Sequence, residues 1–236
     1  MNPYQALKSA VLDEAGLNCH AIFDIHALPD AAREVLFERC PQAREYRQLI
    51  LIGHAGTKFW TALQVSLQSD FSQIDAHPVD DFTVEKVREF MQTEAADQAY
   101  QIVYPGAYTI SLQELGKLAG WHHPSPFMVG INAEFGPWFA YRAVILANSN
   151  FPTSKALVSA SPCDSCSEQA CISNCPPQAL EGGEFHLLKC VQYRQQADSK
   201  CKDTCLARLS CPVGSEHRYS EQQMQYHYGR SMQVIK

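Results

Sequence analysis

The sequence predicts an α+β sandwich built from roughly the first 150 residues, followed by a separate cysteine-rich module. Three observations lead there. Apolar runs of strand character alternate with stretches of helical period as far as Leu146. From Asn148 to Pro162 the chain turns to proline and serine (Pro152, Ser154, Ser159, Ser161), the composition of a linker. Beyond it, eight of the ten cysteines fall between Cys163 and Cys211. At 236 residues and 46% hydrophobic content, the chain can bury a sizeable core as one large domain or as a domain plus a smaller one. The expected division is 1–150 for the sandwich, 151–214 for the cysteine module, and 215–236 for a tail packing on the first domain.

Each element follows from local chemistry. Residues 3–15 carry good helix formers with Leu7, Val11 and Ala15 at helical spacing, and Gly16 stops them. Leu17 to Ile25 reads as a strand, and Pro29-Asp30 opens a helix that ends near Cys40-Pro41. The continuous apolar run Leu49-Ile50-Leu51-Ile52 predicts a strand buried on both faces. It turns through Gly53-His54-Ala55-Gly56 into a helix from Lys58 to Gln68. A glycine loop entering a helix can cradle phosphate, but a tight strand-to-helix turn is the simpler account. Asp80 and Asp81 precede Val84, Val87 and Met91, where a helix N-terminus welcomes negative charge. Tyr100 to Tyr104 is a strand, Leu112 to Ala119 a short helix, and Gly120-Trp-His-His-Pro124 a break. The adjacent His122 and His123 point apart on most backbones and do not form a metal site by themselves.

Trp138 to Leu146 is the most informative strand of this part, apolar on both faces except at Arg142. A guanidinium there needs an anionic or carbonyl partner. That partner is either internal or a bound anion or amide-rich ligand. In the tail, Ser220 followed by Glu221 and Gln223 can start a helix as a capping box would.

The cysteines carry the chemistry. The first block reads Cys163-x2-Cys166-x4-Cys171-x3-Cys175-Pro176, close to the C-x2-C-x2-C-x3-C-P run of bacterial iron–sulfur ferredoxins but with a longer middle gap. After Cys190, the second block Cys201-x3-Cys205-x5-Cys211-Pro212 repeats that ending with looser gaps. Eight thiolates suffice for two four-cysteine clusters, and iron–sulfur is the preferred reading. Zinc is the main competitor because its four-cysteine sites use similar paired spacings, and disulfides come last. Cys19 and Cys40, far away in sequence, read as buried thiols.

Composition excludes other classes. A net charge of −6 and a pI near 5.8 argue against a globally basic nucleic-acid surface, although Lys189 to Arg218 holds a local excess of scattered basic residues. No apolar run approaches the ~18 residues of a membrane helix, so no membrane partner is expected. The opening Met-Asn-Pro-Tyr-Gln carries no apolar signal segment, which predicts a reducing cytoplasm.

Two family resemblances meet on these residues. Gly130-Ile-Asn-Ala-Glu-Phe-Gly136-Pro-Trp138-Phe-Ala-Tyr-Arg142 resembles the cobalamin-processing chaperone of the cblC type. Lys58-Phe-Trp-Thr-Ala-Leu, His77-Pro-Val-Asp80 and Arg218-Tyr-Ser-Glu-Gln-Gln extend that likeness. The Leu-Ala-Gly120…Gly130-Ile-Asn segment joined to the cysteine blocks resembles epoxyqueuosine reductase and the reductive dehalogenases.

The resemblance implies a nitroreductase-like α+β domain holding cobalamin or another corrinoid, beside a ferredoxin-like module with two 4Fe-4S clusters that feed it electrons. One cluster would take Cys163, Cys166, Cys171 and Cys211, the other Cys175, Cys190, Cys201 and Cys205. Gly130, Phe135, Gly136, Trp138 and Arg142 would form the cofactor side, Arg142 matching an arginine associated with a thiol cosubstrate. The implied activity is an oxidoreductase that reductively processes a cobalamin-type cofactor, with a redox donor protein or a thiol as partner. An acidic residue expected in epoxyqueuosine reductase ahead of Glu114 is missing near Tyr108, and no helical-repeat domain follows to hold transfer RNA. Nucleic acid is therefore not an expected partner.

Overall fold

The computed structural model describes residues 2–67 and 77–235. The chain divides into two compact units, Met1–Gly120 with Ala140–Leu157, and Trp121–Phe139 with Val158–Lys236. The first holds helices α1 (Ala10–Glu14), α2 (Asp30–Arg39), α3 (Lys58–Ser66), α4 (Pro78–Glu94) and α5 (Leu112–Leu118). Its strands are β1 (Cys19–Asp24), β2 (Gln48–Ala55), β3 (Tyr100–Tyr104) and β4 (Phe139–Ala147), hydrogen-bonded in the order β1-β2-β4-β3.

The sheet is antiparallel. In β1 and β2 the register runs from Cys19 opposite Gly53 to Asp24 opposite Gln48. In β3 and β4, Tyr100 faces Ala147, with a register shift between Ile102 and Tyr104. At the centre, Gly53 lies against Ala140 while Gln48, at the other end of β2, accepts a hydrogen bond from Ser149 Oγ at 2.7 Å. Every residue of β2 is buried, as the unbroken apolar run predicts for a strand covered on both faces. Phe59, Trp60 and Leu63 of α3 and Phe82, Val87, Phe90 and Met91 of α4 bury against it. Asp80 and Asp81 do occupy the first turn of α4.

Two boundaries differ from the sequence reading. The first helix begins at Ala10 rather than Pro3, because Ser9 caps it by accepting from Leu12 N. The residues before it run extended instead: Tyr4 O takes the backbone N–H of His20 at 2.7 Å, and Gln5 bridges to the same strand. Gly16 (φ +70°) does stop the helix, and a Cβ there would lie 2.3 Å from Phe59 N, so glycine also lets α3 begin where it does. The far end of the predicted third helix, at Gln68, lies outside the described residues.

The second unit is built from short helices: α6 (Ala170–Ser173), α7 (Leu187–Gln195), α8 (Leu206–Leu209) and α9 (Glu221–Val234). Phe127, Leu180 and Ala207 form one core, against which Cys171, Cys175 and Cys205 pack. Trp138, Tyr219 and Met224 form another. Ser220 caps α9 through Gln223 N, as the tail sequence suggested. Among the described residues no helix is long and apolar enough to cross a membrane.

Candidate cofactor sites

The eight late cysteines all lie in the second unit, on turns and on the margins of short helices. Cys171 is carried by α6 and Cys190 by α7, whereas Cys205 begins α8 and Cys211 follows it. All ten cysteines of the chain are free thiols, and Cys19 and Cys40 are fully or nearly fully buried in the other unit. Helices this short offer little stability of their own, so the unit depends on its two small apolar cores and on whatever the thiols bind.

The electrostatics divide the eight into two sets. Burial pushes the Cys163 thiol above its ordinary value, and Cys211, Cys166 and Asp164 push it further. Cys171 is raised by burial and then by Cys211, Cys163 and Cys166. Burial raises Cys211, with Cys166 adding to it and Arg218 opposing. In the other set, burial raises Cys175 and Cys205 contributes. Cys190 and Cys201 are likewise raised by burial, each sensing Cys205 and Cys175 while Arg194 draws both down. No shifted thiol of one set is pushed by a member of the other. The mutual influences thus run among Cys163, Cys166, Cys171 and Cys211 on one side and among Cys175, Cys190, Cys201 and Cys205 on the other.

Partly buried thiols that repel one another's thiolate forms are relieved by keeping their protons or by a shared cationic centre. Among the described residues, no three His, Cys, Asp or Glu side chains gather closely enough to hold a metal ion. A lone zinc with bonds of about 2.3 Å would draw four sulfurs to within roughly 4 Å of each other.

The sequence-predicted cofactor residues separate. Arg142, on β4, belongs to the first unit, where its Nε donates to His54 Nδ1 at 2.9 Å. Its guanidinium lies 5.2 Å from the Phe59 ring, on which the His54 imidazole stacks at 4.6 Å. Accepting at Nδ1 requires His54 to be neutral with its proton on Nε2. Tyr104 is close by: burial pushes its hydroxyl up, Arg142 pulls it down and Asp80 pushes it up. Phe59 and Arg142, from separate sequence motifs, thus meet at one half-buried cation, and both Arg142 and Asp80 act on Tyr104. His54 escaped the sequence reading because it sits in a glycine-flanked strand end that resembles a plain turn.

The other four lie in the second unit and are explained by packing. A Cβ at Gly130 would lie 2.3 Å from the His122 ring. Gly136 (φ +57°) and Gly214 (φ +63°) cross backbone to backbone: a Cβ on the first would meet Val213 O at 2.0 Å, and on the second Phe135 C at 2.3 Å. Phe135 sets its ring edge-on to His217 at 4.9 Å. Trp138 is fully buried. Buried Arg208 lies over both its ring, at 4.9 Å, and the Tyr219 ring, at 4.8 Å, and donates to Pro137 O at 2.6 Å.

Solved structures share this fold. Epoxyqueuosine reductase from Bacillus subtilis matches 91% of this chain with a TM-score of 0.54 at 13% identity, and the match spans 67% of the reductase. A C. elegans B12-trafficking protein, CblC, a homologue of human MMACHC, matches 92% of this chain and 88% of its own length, with a TM-score of 0.53 at 17% identity. An epoxyqueuosine reductase structure holding a modified tRNA-Tyr stem loop gives a TM-score of 0.51 at 12% identity, covering 91% of this chain and 67% of the reductase. No protein-family model and no curated protein sequence matches the chain. At these identities the likeness establishes a mixed α and β, nitroreductase-like fold. That accords with the predicted fold class of the first domain.

Proposed function

We propose that this chain is a corrinoid-handling iron–sulfur oxidoreductase that reductively processes a cobalamin-type cofactor. The observation that supports the reading is that Cys211 acts on Cys163 and Cys171 while Cys205 acts on Cys175. We assign Cys175 to the second block and Cys211 to the first, so each quartet takes its odd member from the other half of the module. Two-cluster ferredoxins cross their ligands in the same way, the fourth cysteine of a run serving the other cluster. The likeness of the first cysteine block to the ferredoxin run favours a polynuclear centre over zinc. When bound, such clusters supply one-electron transfer over a range of about −700 to +450 mV.

The protein's own residues then have distinct tasks. The quartets would hold two 4Fe-4S clusters, with the core around Phe127, Leu180 and Ala207 keeping water from one side. In the α+β unit, Arg142 fits an anionic or amide-rich ligand, being half-buried and held by the neutral His54. Gly130, Phe135, Gly136 and Trp138 would act from the second unit, whose backbone they set. The fold likeness to a B12-trafficking protein supports the corrinoid, and the likeness to a reductase supports the direction of chemistry. We assign residues 1–150 to the corrinoid side, 151–214 to the clusters and 215–236 to a packing tail.

Oxygen-free purification with iron and sulfide counts, followed by optical titration with cob(II)alamin, tests the proposal. Iron and sulfide in equal amounts with a cobalamin-dependent spectral change are expected. Zinc without iron or sulfide would end the reading, and clusters without any cobalamin response would reduce it to electron transfer alone. A second reading, a reductase using the corrinoid on a separate substrate, is favoured by the fold shared with epoxyqueuosine reductase. Turnover of a modified nucleoside would select it.

A further inference from the structure

Arg194 is a buried cation that forms no ion pair with a carboxylate among the described residues. It lies on α7 one helical turn after Cys190, with 8% of its surface exposed. Its Nε donates to Cys201 O at 2.9 Å. Its Nη2 donates to Lys202 O at 3.0 Å, to Tyr228 O at 2.9 Å and to Ser231 Oγ at 2.9 Å, and the guanidinium sits 5.4 Å from the Tyr228 ring. Among the described residues no acidic side chain forms an ion pair with it. A desolvated guanidinium in a network of neutral acceptors is costly unless negative charge lies close by. The groups it faces that can become anionic are Cys190 and Cys201, both of the second quartet. The first quartet has a different setting: acidic Asp164 adjoins and acts on Cys163, and the arginine that acts on the Cys211 thiol, Arg218, is exposed to solvent.

Resting on the two-cluster reading above, we propose that Arg194 is a built-in counter-cation of the second cluster, holding its midpoint potential above that of the first. A one-electron donor of the ferredoxin or flavodoxin class loses an electron, and the Cys175, Cys190, Cys201 and Cys205 centre gains it. Reduction adds negative charge to that centre beside a fixed positive one. No bond forms or breaks at Arg194 and no proton moves there. Electrons entering the module therefore settle on the second cluster before passing onward. The same four hydrogen bonds tie α9, through Tyr228 and Ser231, to the backbone around Cys201, so the cation cannot swing away to solvent.

The test is an electron-paramagnetic-resonance redox titration with dithionite on the full-length chain, purified without oxygen, for wild type, Arg194→Gln, Arg194→Lys and Ser231→Asp. Iron and sulfide are counted first: their absence from the wild type would refute the two-cluster reading itself. With clusters present, Arg194→Gln should lower one of the two midpoints by a tenfold change in the one-electron equilibrium, about 59 mV, leaving the other in place. Arg194→Lys, which keeps the charge, should retain most of the potential. Ser231→Asp places a carboxylate against the guanidinium and should reproduce the drop with Arg194 still in position. It decides the matter if Arg194→Gln fails to hold its cluster. Unchanged midpoints in a fully loaded Ser231→Asp or Arg194→Gln, or equal shifts in Arg194→Lys and Arg194→Gln, would overturn the proposal.

Discussion

The interleaving of the quartets can be tested by counting iron in paired variants. Replacing Cys171 and Cys211 with alanine removes two thiolates from one quartet and leaves the other whole. Replacing Cys171 and Cys175, which are only four positions apart and lie in the same sequence block, removes one thiolate from each. Two cubanes bring about eight irons to the chain, so the first pair should keep about four, all in a cluster with its full set of four thiolates. The second pair leaves each centre three-coordinated, with no fully ligated cluster. Alanine carries no donor atom, so neither loss is made good by the substituted side chain. The assay is iron and acid-labile sulfide per chain after anaerobic reconstitution, with the resonance spectrum of the reduced protein reporting whether an intact cluster remains. If the clusters were instead held block by block, the outcomes would exchange: Cys171 with Cys175 would leave one intact centre and Cys171 with Cys211 none. That exchange would refute the assignment of Cys175 and Cys211 to opposite blocks, and the electron-transfer reading built on it.

Further perturbations probe the rest of the molecule. Gly136→Ala forces a side chain into the left-handed region and against Val213 O, so unfolding in denaturant should show a loss of at least about 1–2 kcal/mol. An unchanged midpoint would mean that the backbone crossing at Gly214 is not fixed. Arg142→Met removes the hydrogen bond to His54, and its stability loss should stay near 1.5 kcal/mol because the arginine is only half-buried. Binding of an anionic thiol, followed by calorimetry, should weaken at the same time, and equal binding by the variant would remove Arg142 from the site. The metal-free chain should lose stability as pH rises through and beyond the ordinary thiol range. The folded state keeps protons on Cys163, Cys171, Cys175, Cys190, Cys201 and Cys211 that the unfolded chain has already released. This stabilising contribution is fully present below the unfolded value, about 8.5, and fades above it, which melting temperatures at neutral and alkaline pH will report. Metal loading should reverse the trend, since binding takes the thiolate form.

Much of the secondary structure could be read directly because its signals are local. The buried run from Leu49 to Ile52, the acidic start of α4 and the serine cap of α9 each express a preference carried by a few consecutive residues. The N-terminal helix was read too long because periodicity does not reveal that Tyr4 and Gln5 find backbone partners at His20, fifteen or more positions away. Gly136 and Trp138 were attributed to a ligand from their motif, whereas in the folded chain their neighbours are Val213 and Tyr219.

By itself the sequence determined that eight thiols would be gathered in one module, and that a lone arginine would interrupt an apolar strand. Both follow from composition and spacing along the backbone. That His54 is what Arg142 touches, and that Arg194 is buried against Cys201, Tyr228 and Ser231 with no ion-pair partner among the described residues, were decided only by the tertiary structure. Those are pairings across tens of residues, set by how the short helices and the two small cores pack, and no local pattern encodes the distance between side chains that packing brings together.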